Sequence, residues 1–204
     1  EQRPDDIDLL GTANTDWQDE IYEETISVDQ SVSLSGKILD KIPTRFSFGH
    51  TKQPGLRITS EFERVSSSLS LNPKFFDDHL KVNVNASLNY EFNRFSNDGD
   101  SAAALRMDPT QPVYDEDSPF GGFFEYHTNG NRNSAPRNPV ANLLQREDKS
   151  QVQRFYGNVE LDYKLHFFPD LRAVVNLGYD NSEGEGYNRL SIESINGYSP
   201  DNNA

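Results

Sequence analysis

The 204-residue chain contains no cysteine, one methionine and one tryptophan. Without cysteine it can form neither a disulfide framework nor a thiolate metal site, which fits an envelope protein. No stretch approaches the roughly 18 to 20 consecutive apolar residues of a transmembrane helix. The opening residues, Glu1 to Asp6, are polar and lack the apolar segment of a signal peptide. We therefore expect either a mature chain or an interior piece of a longer one.

Basic residues are also scarce, with 19 Lys and Arg against 33 Asp and Glu and a formal net charge of -14. This balance argues against nucleic-acid partners, which need clustered basic side chains. The mean hydropathy is -0.78, and 34% of residues are hydrophobic. A membrane β-barrel tolerates such a composition because only alternate strand residues face lipid and the long outer loops are polar.

The dominant pattern is an alternation of apolar and polar residues with a period of two. Its first run has apolar residues at Leu80, Val82, Val84, Ala86, Leu88, Tyr90 and Phe92. A second run has Phe155, Gly157, Val159, Leu161, Tyr163, Leu165 and Phe167. At about 3.3 Å per residue the run 80–95 spans roughly 50 Å, whereas a typical soluble strand has about 5 to 6 residues. The pattern predicts an all-β fold, an antiparallel transmembrane β-barrel segment, with a soluble β-sandwich as the alternative.

Alternation and turn residues together predict six strands, paired as hairpins. Their expected ranges are 25–35, 44–51, 62–71, 80–95, 155–167 and 171–179. The predicted organisation is a lead-in segment at 1–24, barrel strands at 25–95, a long extracellular loop at 96–150, further strands at 151–186, and the start of another extracellular loop at 187–204. Short turns and long loops of a barrel lie at opposite rims, so the short connections are expected at the periplasmic rim. Aromatic residues near both strand ends fit two interface girdles.

Several segments resemble one protein family in matching order. Residues Thr15 to Ile21 read TDWQDEI, a segment that precedes a barrel strand in SusC/RagA-type TonB-dependent outer-membrane transporters. Further similar segments lie at 32–36, 48–55, 62–64, 71–73, 76–82, 108–114 and 161–166. Together they extend over most of residues 9–186, so the chain is identified as resembling this family.

The resemblance implies a barrel of about 22 strands with an N-terminal plug in the outer membrane of a Bacteroidetes-type envelope. It also implies a SusD-type surface lipoprotein as a lid and uptake of glycans or peptides driven by the TonB complex. Six strands cannot close such a barrel, and neither a plug nor a TonB-contacting segment is recognised in this sequence. We expect an interior barrel segment in contact with outer-membrane lipid, with the TonB contacts elsewhere in the receptor.

No catalytic, metal or cofactor site is expected, and the chain is not predicted to be an enzyme. The four histidines, His50, His79, His127 and His166, are widely spaced and form no metal-binding motif. Nucleophile and phosphate-binding motifs are also missing. Two competing functions remain open. One is a soluble extracellular β-rich carbohydrate-binding module, and the other is a glycoside hydrolase fragment using two of the many carboxylates.

Two groups of residues are candidates for functional contacts. The long loop carries ligand-contact or lid-contact candidates, and these are Tyr114, Asp115, Phe120, Phe123, Phe124 and Tyr126. Aromatic rings beside polar acceptors suit sugars, but the same rings could instead form the loop's own small core. The polar strand face is expected to line the lumen through Asn83, Asn85, Asn89, Asn158, Glu160, Asp162 and Asn176.

Overall fold

The computed structural model describes residues 10–97, 99–168 and 170–197, and most of these residues belong to one antiparallel sheet. Its strands are β1 (Val28–Ile38), β2 (Ile42–Pro54), β3 (Glu61–Leu71), β4 (Lys74–Phe75), β5 (Leu80–Arg94), β8 (Arg146–Lys164) and β9 (Arg172–Leu190). A separate hairpin consists of β6 (His127–Thr128) and β7 (Asn131–Arg132). The helical elements are α1 (Gly99–Ala104), α2 (Pro139–Leu144) and a 3₁₀ turn at Asp19–Ile21.

The strand order is β1-β2-β3-β5-β8-β9, with β4 paired to β5, so neighbours in the sheet follow the order of the chain. The all-β antiparallel fold class is therefore confirmed. The helices that the structure describes are too short and too polar to cross a membrane.

The register is continuous in every long strand pair, so each strand places alternate residues on the same two faces of the sheet. One face, here called the apolar face, brings Leu88 opposite Phe155 and Val159 opposite Leu177. The other, the polar face, brings Asn83 opposite Glu160. Alternation in the sequence thus becomes a two-sided sheet.

Nothing within the described ranges packs over the apolar face as a second layer, because the other sheet is only the small β6-β7 hairpin. Large side chains on this face remain open to their surroundings, among them Leu34 at 65% exposure and Leu177 at 65%. A soluble sandwich buries this face against a second sheet. The structure therefore does not support the sandwich alternative.

The apolar face changes character along the strands. Along β5 its apolar rows run from Leu80 to Tyr90. From the row of Tyr90 toward the long loop the same face carries ion pairs, with His50 Nε2 2.8 Å from Glu63 Oε1 and Lys149 Nζ 2.9 Å from Glu147 Oε1. With a strand rise of about 3.3 Å and a tilt of about 40°, the apolar rows form a band about 25 Å high.

Two strand boundaries differ from the sequence prediction. Strand β8 begins at Arg146, inside the range predicted as loop, and β9 continues to Leu190, past the predicted boundary at 186. The apolar alternation ends at Phe155 on β8 and at Tyr179 on β9, and in the stretches 146–154 and 180–190 both faces of the sheet are mostly polar. Apolar alternation is absent there, so the sequence pattern could not reveal the strands. The strand β1 also begins at Val28 rather than at residue 25.

The connections divide between the two ends of the sheet. The short connections after β1, β3 and β8 lie at one end, called the turn end, and those after β2 and β5 lie at the other, called the loop end. At the loop end, residues 10–24, 55–60, 95–97, 99–145 and 191–197 pack together into a unit that we call the cap. Its buried apolar core consists of Trp17, Ile21, Ala104, Met107, Val113, Val140 and Leu143.

Candidate functional site

The cap is built around a contact between two segments about ninety residues apart in the chain. The indole Nε1 of Trp17 donates to the carbonyl oxygen of Asp108 at 2.9 Å. The amide nitrogens of Ala13 and Thr15 donate to the carbonyl oxygens of Thr110 at 3.0 Å and Pro109 at 2.9 Å. The lead-in segment therefore adds a strand-like edge to the long loop and anchors it with a buried ring.

Asn138 connects three parts of the cap from a fully buried position. Its Oδ1 accepts from the amide nitrogens of Val140 and Ala141, which caps the N-terminus of α2. Its Nδ2 donates to the carbonyl oxygens of Val113 at 2.8 Å and Phe124 at 3.1 Å. One amide thus fixes the helix against the two loop segments that carry the aromatic candidates.

A buried carboxylate lies next to this amide. Glu125 Oε1 accepts from the backbone nitrogen of Asn138 at 3.3 Å, and Glu125 Oε2 lies 3.6 Å from Arg137 Nη1. Burial raises the pKa of Glu125 to about 7, because the loss of hydration outweighs the hydrogen bond from Asn138 and the attraction of Arg137. Burial also lowers the pKa of Arg137. The same loss of hydration thus raises the pKa of the acid and lowers that of the base, which indicates a poorly hydrated polar core.

The aromatic candidates have different environments. Phe120 is fully buried, so in this structure its ring cannot meet a ligand or a lid. Phe124 and Tyr126 pack edge to face with centroids 5.0 Å apart, and both contact the cap core. Tyr114 is 60% exposed and lies 5.3 Å from the Phe123 ring, which also contacts the core. Most of these rings therefore contribute to the loop's own core, and Tyr114 offers the largest accessible surface.

Asp115 stabilises the turn beside Tyr114. Its Oδ1 accepts from the backbone nitrogen of Asp117 at 3.1 Å, and its own backbone nitrogen donates to the carbonyl oxygen of Gly122 at 2.9 Å. The half-buried carboxylate thus has a local structural partner. It also remains near the exposed Tyr114 ring.

The lumen candidates all lie on the polar face. Three amide-containing contacts cross the sheet there: Asn83 to Glu160 at 2.8 Å, Asn85 to Asn158 at 3.3 Å, and Asn158 to Asn176 at 3.2 Å. Asn89 lies opposite Arg154, and Asp162 accepts hydrogen bonds from Arg172 near the turn end. The face is therefore a continuous polar surface.

A cleft lies between the cap and the polar face at the loop end, and no sequence motif marks it. The cavity has a volume of about 350 Å³. It is lined by Asn97, Arg132, Arg137, Asn142, Arg146, Asn188, Leu190 and Asn196. Arg146 and Asn188 belong to β8 and β9 and occupy the same face as Asn158. A second cavity of about 440 Å³ shares several of these residues and extends to Arg106.

The β6-β7 hairpin positions Arg132 in this cleft. Asn129 and Gly130, its two-residue loop, both have positive φ angles, of 52° and 76°. Such a loop requires residues that tolerate the left-handed region, and Asn-Gly is the preferred pair. The Asn-Gly dipeptide is therefore the sequence signal that could have located the hairpin. Arg137 holds its base by donating to the carbonyl oxygens of Tyr126, Asn133 and Ala135.

Within the described ranges, no three His, Asp or Glu side chains converge in a way that suits a metal ion. The stacked rings of His79 and His166, with centroids 4.1 Å apart, instead join two turns at the turn end. The Nδ1 atom of His79 contacts the carbonyl oxygen of Phe76, and the Nδ1 atom of His166 contacts the Tyr163 hydroxyl. Each of these hydrogen bonds stays within one turn, and the stacked rings link the two turns.

The chain is similar to two curated receptors, although no model of a protein family matches it. TonB-dependent receptor SusC from Bacteroides thetaiotaomicron is 41% identical over 193 residues, which cover 86% of this chain and 19% of that receptor. TonB-dependent receptor P26 from Formosa agariphila is 26% identical over 172 residues, which cover 83% of this chain and 16% of that receptor. The chain thus spans about a fifth or less of the length of these relatives.

The fold is also similar to a chain in the solved structure of the RagAB peptide transporter. The TM-score is 0.61 with 17% sequence identity, and the match covers 87% of this chain and 20% of that chain. At this identity the similarity concerns the fold alone. Because 41% identity to SusC extends over most of the sequence, this chain is a homologue of one segment of a SusC-type TonB-dependent receptor, and its fold agrees with that of a RagAB chain.

Proposed function

We propose that this chain forms part of the barrel wall and the outer mouth of an outer-membrane importer of oligosaccharides, with peptides as the second ligand class. In this proposal a SusD-type lipoprotein covers the mouth, and the TonB complex acts on parts of the receptor outside this chain. The chain's contribution is a passive one, since it supplies wall, lumen surface and loop. The kinship with SusC supports a role in a receptor.

One observation carries the proposal: the exposed apolar band ends in charged rows on the same face of the same strands. The band height of about 25 Å matches the hydrocarbon layer that a barrel crosses. At its border, in the row of Tyr90, His50 pairs with Glu63 of the next row, and beyond that border Lys52 Nζ lies 2.8 Å from Glu61 Oε1. Charges of this kind are stable in water and costly in lipid. In a soluble carbohydrate-binding module, water would surround this whole face, and nothing would favour a border between apolar and charged rows.

The orientation follows from the lengths of the connections. Barrels carry short turns on the periplasmic side and longer loops outside. The connection after β5 is by far the longest in the described chain, and it lies at the loop end. We therefore place the cap outside the cell, with the apolar face toward lipid and the polar face toward the lumen.

Single-cysteine labelling of the complete receptor in intact cells tests this arrangement, because the chain has no cysteine of its own. A membrane-impermeant maleimide should react with Glu116→Cys in the cap. Lys41→Cys, at the turn end, should react only after the outer membrane is permeabilised. Leu161→Cys, on the apolar face, should stay unreactive in both cases, because it is buried in lipid.

Asn158→Cys is the matched control for Leu161→Cys, since it lies three residues away on the polar face of the same strand. Water in the lumen should allow it to react with a small soluble thiol reagent once the receptor is purified. Equal labelling of Leu161→Cys and Asn158→Cys would overturn the membrane arrangement. Labelling of Lys41→Cys on intact cells would reverse the orientation.

A further inference from the structure

The cleft between the cap and the polar face has an unusual charge for this chain. Its lining contains Arg132, Arg137 and Arg146, together with four asparagines, and none of the described residues that line it is acidic. The whole chain carries 33 acidic and 19 basic residues. A basic cleft in an acidic protein attracts anions locally while the rest of the surface repels them.

The three arginines differ in their partners. Arg137 is occupied by backbone carbonyl oxygens and by Glu125, and Arg146 Nη2 lies 3.5 Å from Asp148 Oδ2. Arg132 is exposed, and none of the described residues makes a hydrogen bond or an ion pair with its guanidinium. It therefore has all of its donors available for a ligand.

The asparagines around Arg132 are only partly occupied. Both amide atoms of Asn142 have a partner, since its Nδ2 donates to Asp100 and its Oδ1 accepts from Asn196. Asn188 donates to Asp148 at 2.9 Å, which leaves its other amide atom without a partner among the described residues. Asn97 and Asn196 likewise each retain one amide atom without a side-chain partner within the described ranges. These free atoms can bind the hydroxyl groups of a sugar.

The position of the cleft matches a ligand path. Arg146 and Asn188 lie on the polar face at the loop end, and the hairpin that carries Arg132 closes the cleft from the cap side. Given the proposed function, this is where a ligand passes from the mouth into the lumen. The cleft, of about 350 Å³, is large enough for one or two sugar units. The adjoining cavity of about 440 Å³ shares Arg132 and Arg137 with it, and its lining also includes Asp100.

We propose that this cleft is a subsite for the acidic unit of an anionic oligosaccharide, with the Arg132 guanidinium binding its carboxylate or sulfate ester. The inference rests on the proposed function, because it specifies the ligand class of that importer. A planar guanidinium binds such groups through two parallel hydrogen bonds, and the asparagines bind the neighbouring hydroxyls. A peptide is less suited, because Leu190 is the only apolar side chain in the first cavity's described lining.

Calorimetric titration of the purified complete receptor tests the subsite with an oligogalacturonate, a sulfated oligosaccharide and a neutral gluco-oligosaccharide of equal length. We expect Arg132→Gln to weaken binding of the anionic oligosaccharide about tenfold, the effect of losing one partly screened charge-assisted contact. Arg132→Lys should weaken it less, since the charge remains without the fork. The wild-type affinity should also fall with added salt, and more steeply than that of Arg132→Gln.

Arg189→Gln is the matched control. Arg189 lies next to Asn188 in β9 but on the opposite face, with its guanidinium over the Tyr187 ring at 4.5 Å. Its replacement removes the same charge from the same strand end outside the cleft, so affinity should not change. An equal loss of affinity in Arg189→Gln would show that the effect comes from the net charge of the protein, and it would overturn the subsite.

Comparing the affinities of the three oligosaccharides shows which anionic group the cleft binds. Tighter binding of the galacturonate identifies a carboxylate, and tighter binding of the sulfated probe identifies a sulfate ester. A neutral probe that binds as well as both anions overturns the subsite while leaving an oligosaccharide importer in place. An acidic peptide that binds equally tightly, with the same loss in Arg132→Gln, overturns the sugar assignment. Failure of the cysteine-labelling pattern is a separate result that concerns the importer itself.

Discussion

At the scale of single residues, Asn138 joins the N-terminus of α2 to two loop segments through four side-chain hydrogen bonds. Replacing Asn138 with Ala removes a helix cap and the side-chain donor of two carbonyl oxygens: that of Val113 keeps the bond from the Phe124 nitrogen, whereas that of Phe124 loses its donor among the described residues. We expect a local destabilisation of about 2 to 4 kcal/mol. Hydrogen exchange of the α2 amides in the complete receptor measures it.

Asn131→Ala is the control for this substitution, because Asn131 is exposed and, among the described residues, its side chain donates only to the nearby Asn129 carbonyl oxygen. Exchange rates in α2 should then remain near those of the wild type. If Asn138→Ala exchanged no faster than Asn131→Ala, the buried amide would not organise the cap.

Glu125 gives the cap a pH dependence whose direction follows from its raised pKa. Between the ordinary value of 4.5 and the folded value of about 7, the folded cap holds a proton that the unfolded loop releases. The stability of the cap is therefore highest at acidic pH and falls as the pH rises through this window. The change can reach about 3 kcal/mol. Proteolysis of the cap should accelerate accordingly between about pH 5 and pH 7.5.

Glu125→Gln should remove this dependence, since it keeps an acceptor for the Asn138 amide without a titrating proton. The variant should resist proteolysis better than the wild type at neutral pH. A wild-type cap that became more resistant as the pH rose from about 5 to 7.5 would contradict the direction of the shift.

At the scale of the strand, β8 presents alternate residues to two different environments. Leu161→Arg should cost about 2 to 4 kcal/mol in a lipid bilayer, because it places a charge near the middle of the apolar band. Asn158→Arg, on the polar face of the same strand, should cost much less. Equilibrium unfolding from lipid vesicles, or the folded fraction on semi-native gels, measures the difference for the complete receptor. Similar losses for both variants would contradict the assignment of the faces.

The strands also show what sequence patterns can and cannot reveal. Alternation predicts β5 and the central parts of β8 and β9 because lipid on one side and water on the other impose a period of two. Where the strands extend past Arg154 and Asp180 toward the loop end, water lies on both sides and the pattern disappears. The ladders continue there because backbone pairing does not depend on hydrophobic side chains.

The cap was less predictable for a different reason. The sequence showed that Trp17 and the aromatic candidates were present, yet no local pattern states that Trp17 meets Asp108. Contacts over such a separation follow from the order of strands in the sheet. The β6-β7 hairpin was the exception, because its Asn-Gly turn is a local signal. Arg132 could therefore have been placed on a hairpin, although its cleft could not.

At the scale of the whole molecule, the docking of the lead-in segment against the loop joins the two ends of the cap. Gly11 approaches the loop so closely that a Cβ atom would lie 2.1 Å from the Thr110 carbonyl oxygen. Gly11→Ala should therefore displace the lead-in and expose the loop. Gly36→Ala is the control, since a Cβ atom there meets nothing within 4 Å.

Limited proteolysis between residues 96 and 145 measures this effect in the complete receptor. We expect faster cleavage in Gly11→Ala and unchanged cleavage in Gly36→Ala. Equal rates in both variants would mean that the lead-in contributes little to the order of the cap.

The isolated chain should not behave as a soluble domain. Both outer strands of the sheet, β1 and β9, are exposed along their full length, as is the apolar face between them. Unpaired edges and a broad apolar surface promote aggregation. We expect residues 1–204, produced alone, to require detergent, as measured by sedimentation after refolding. A soluble monomer that binds oligosaccharide without detergent would favour the carbohydrate-binding module instead.

The folded cap has a consequence for the speed at which the sheet grows. In the described sheet, most neighbouring strands are linked by connections of a few residues, whereas β5 and β8 are linked by about 50 residues. Closing the longer loop costs about 2 to 3 kcal/mol more in chain entropy than closing a tight turn. The cap brings these strand ends together, and the first link beyond β5 is the hydrogen bond from the Phe95 nitrogen to the Asp148 carbonyl oxygen.

Pairing of β5 with β8 should therefore begin only after the cap has formed and then proceed toward the turn end. Stopped-flow refolding should show Val140→Ala, in the cap core, slowing this step, whereas a change at Lys41 in a tight turn should leave its rate unaffected.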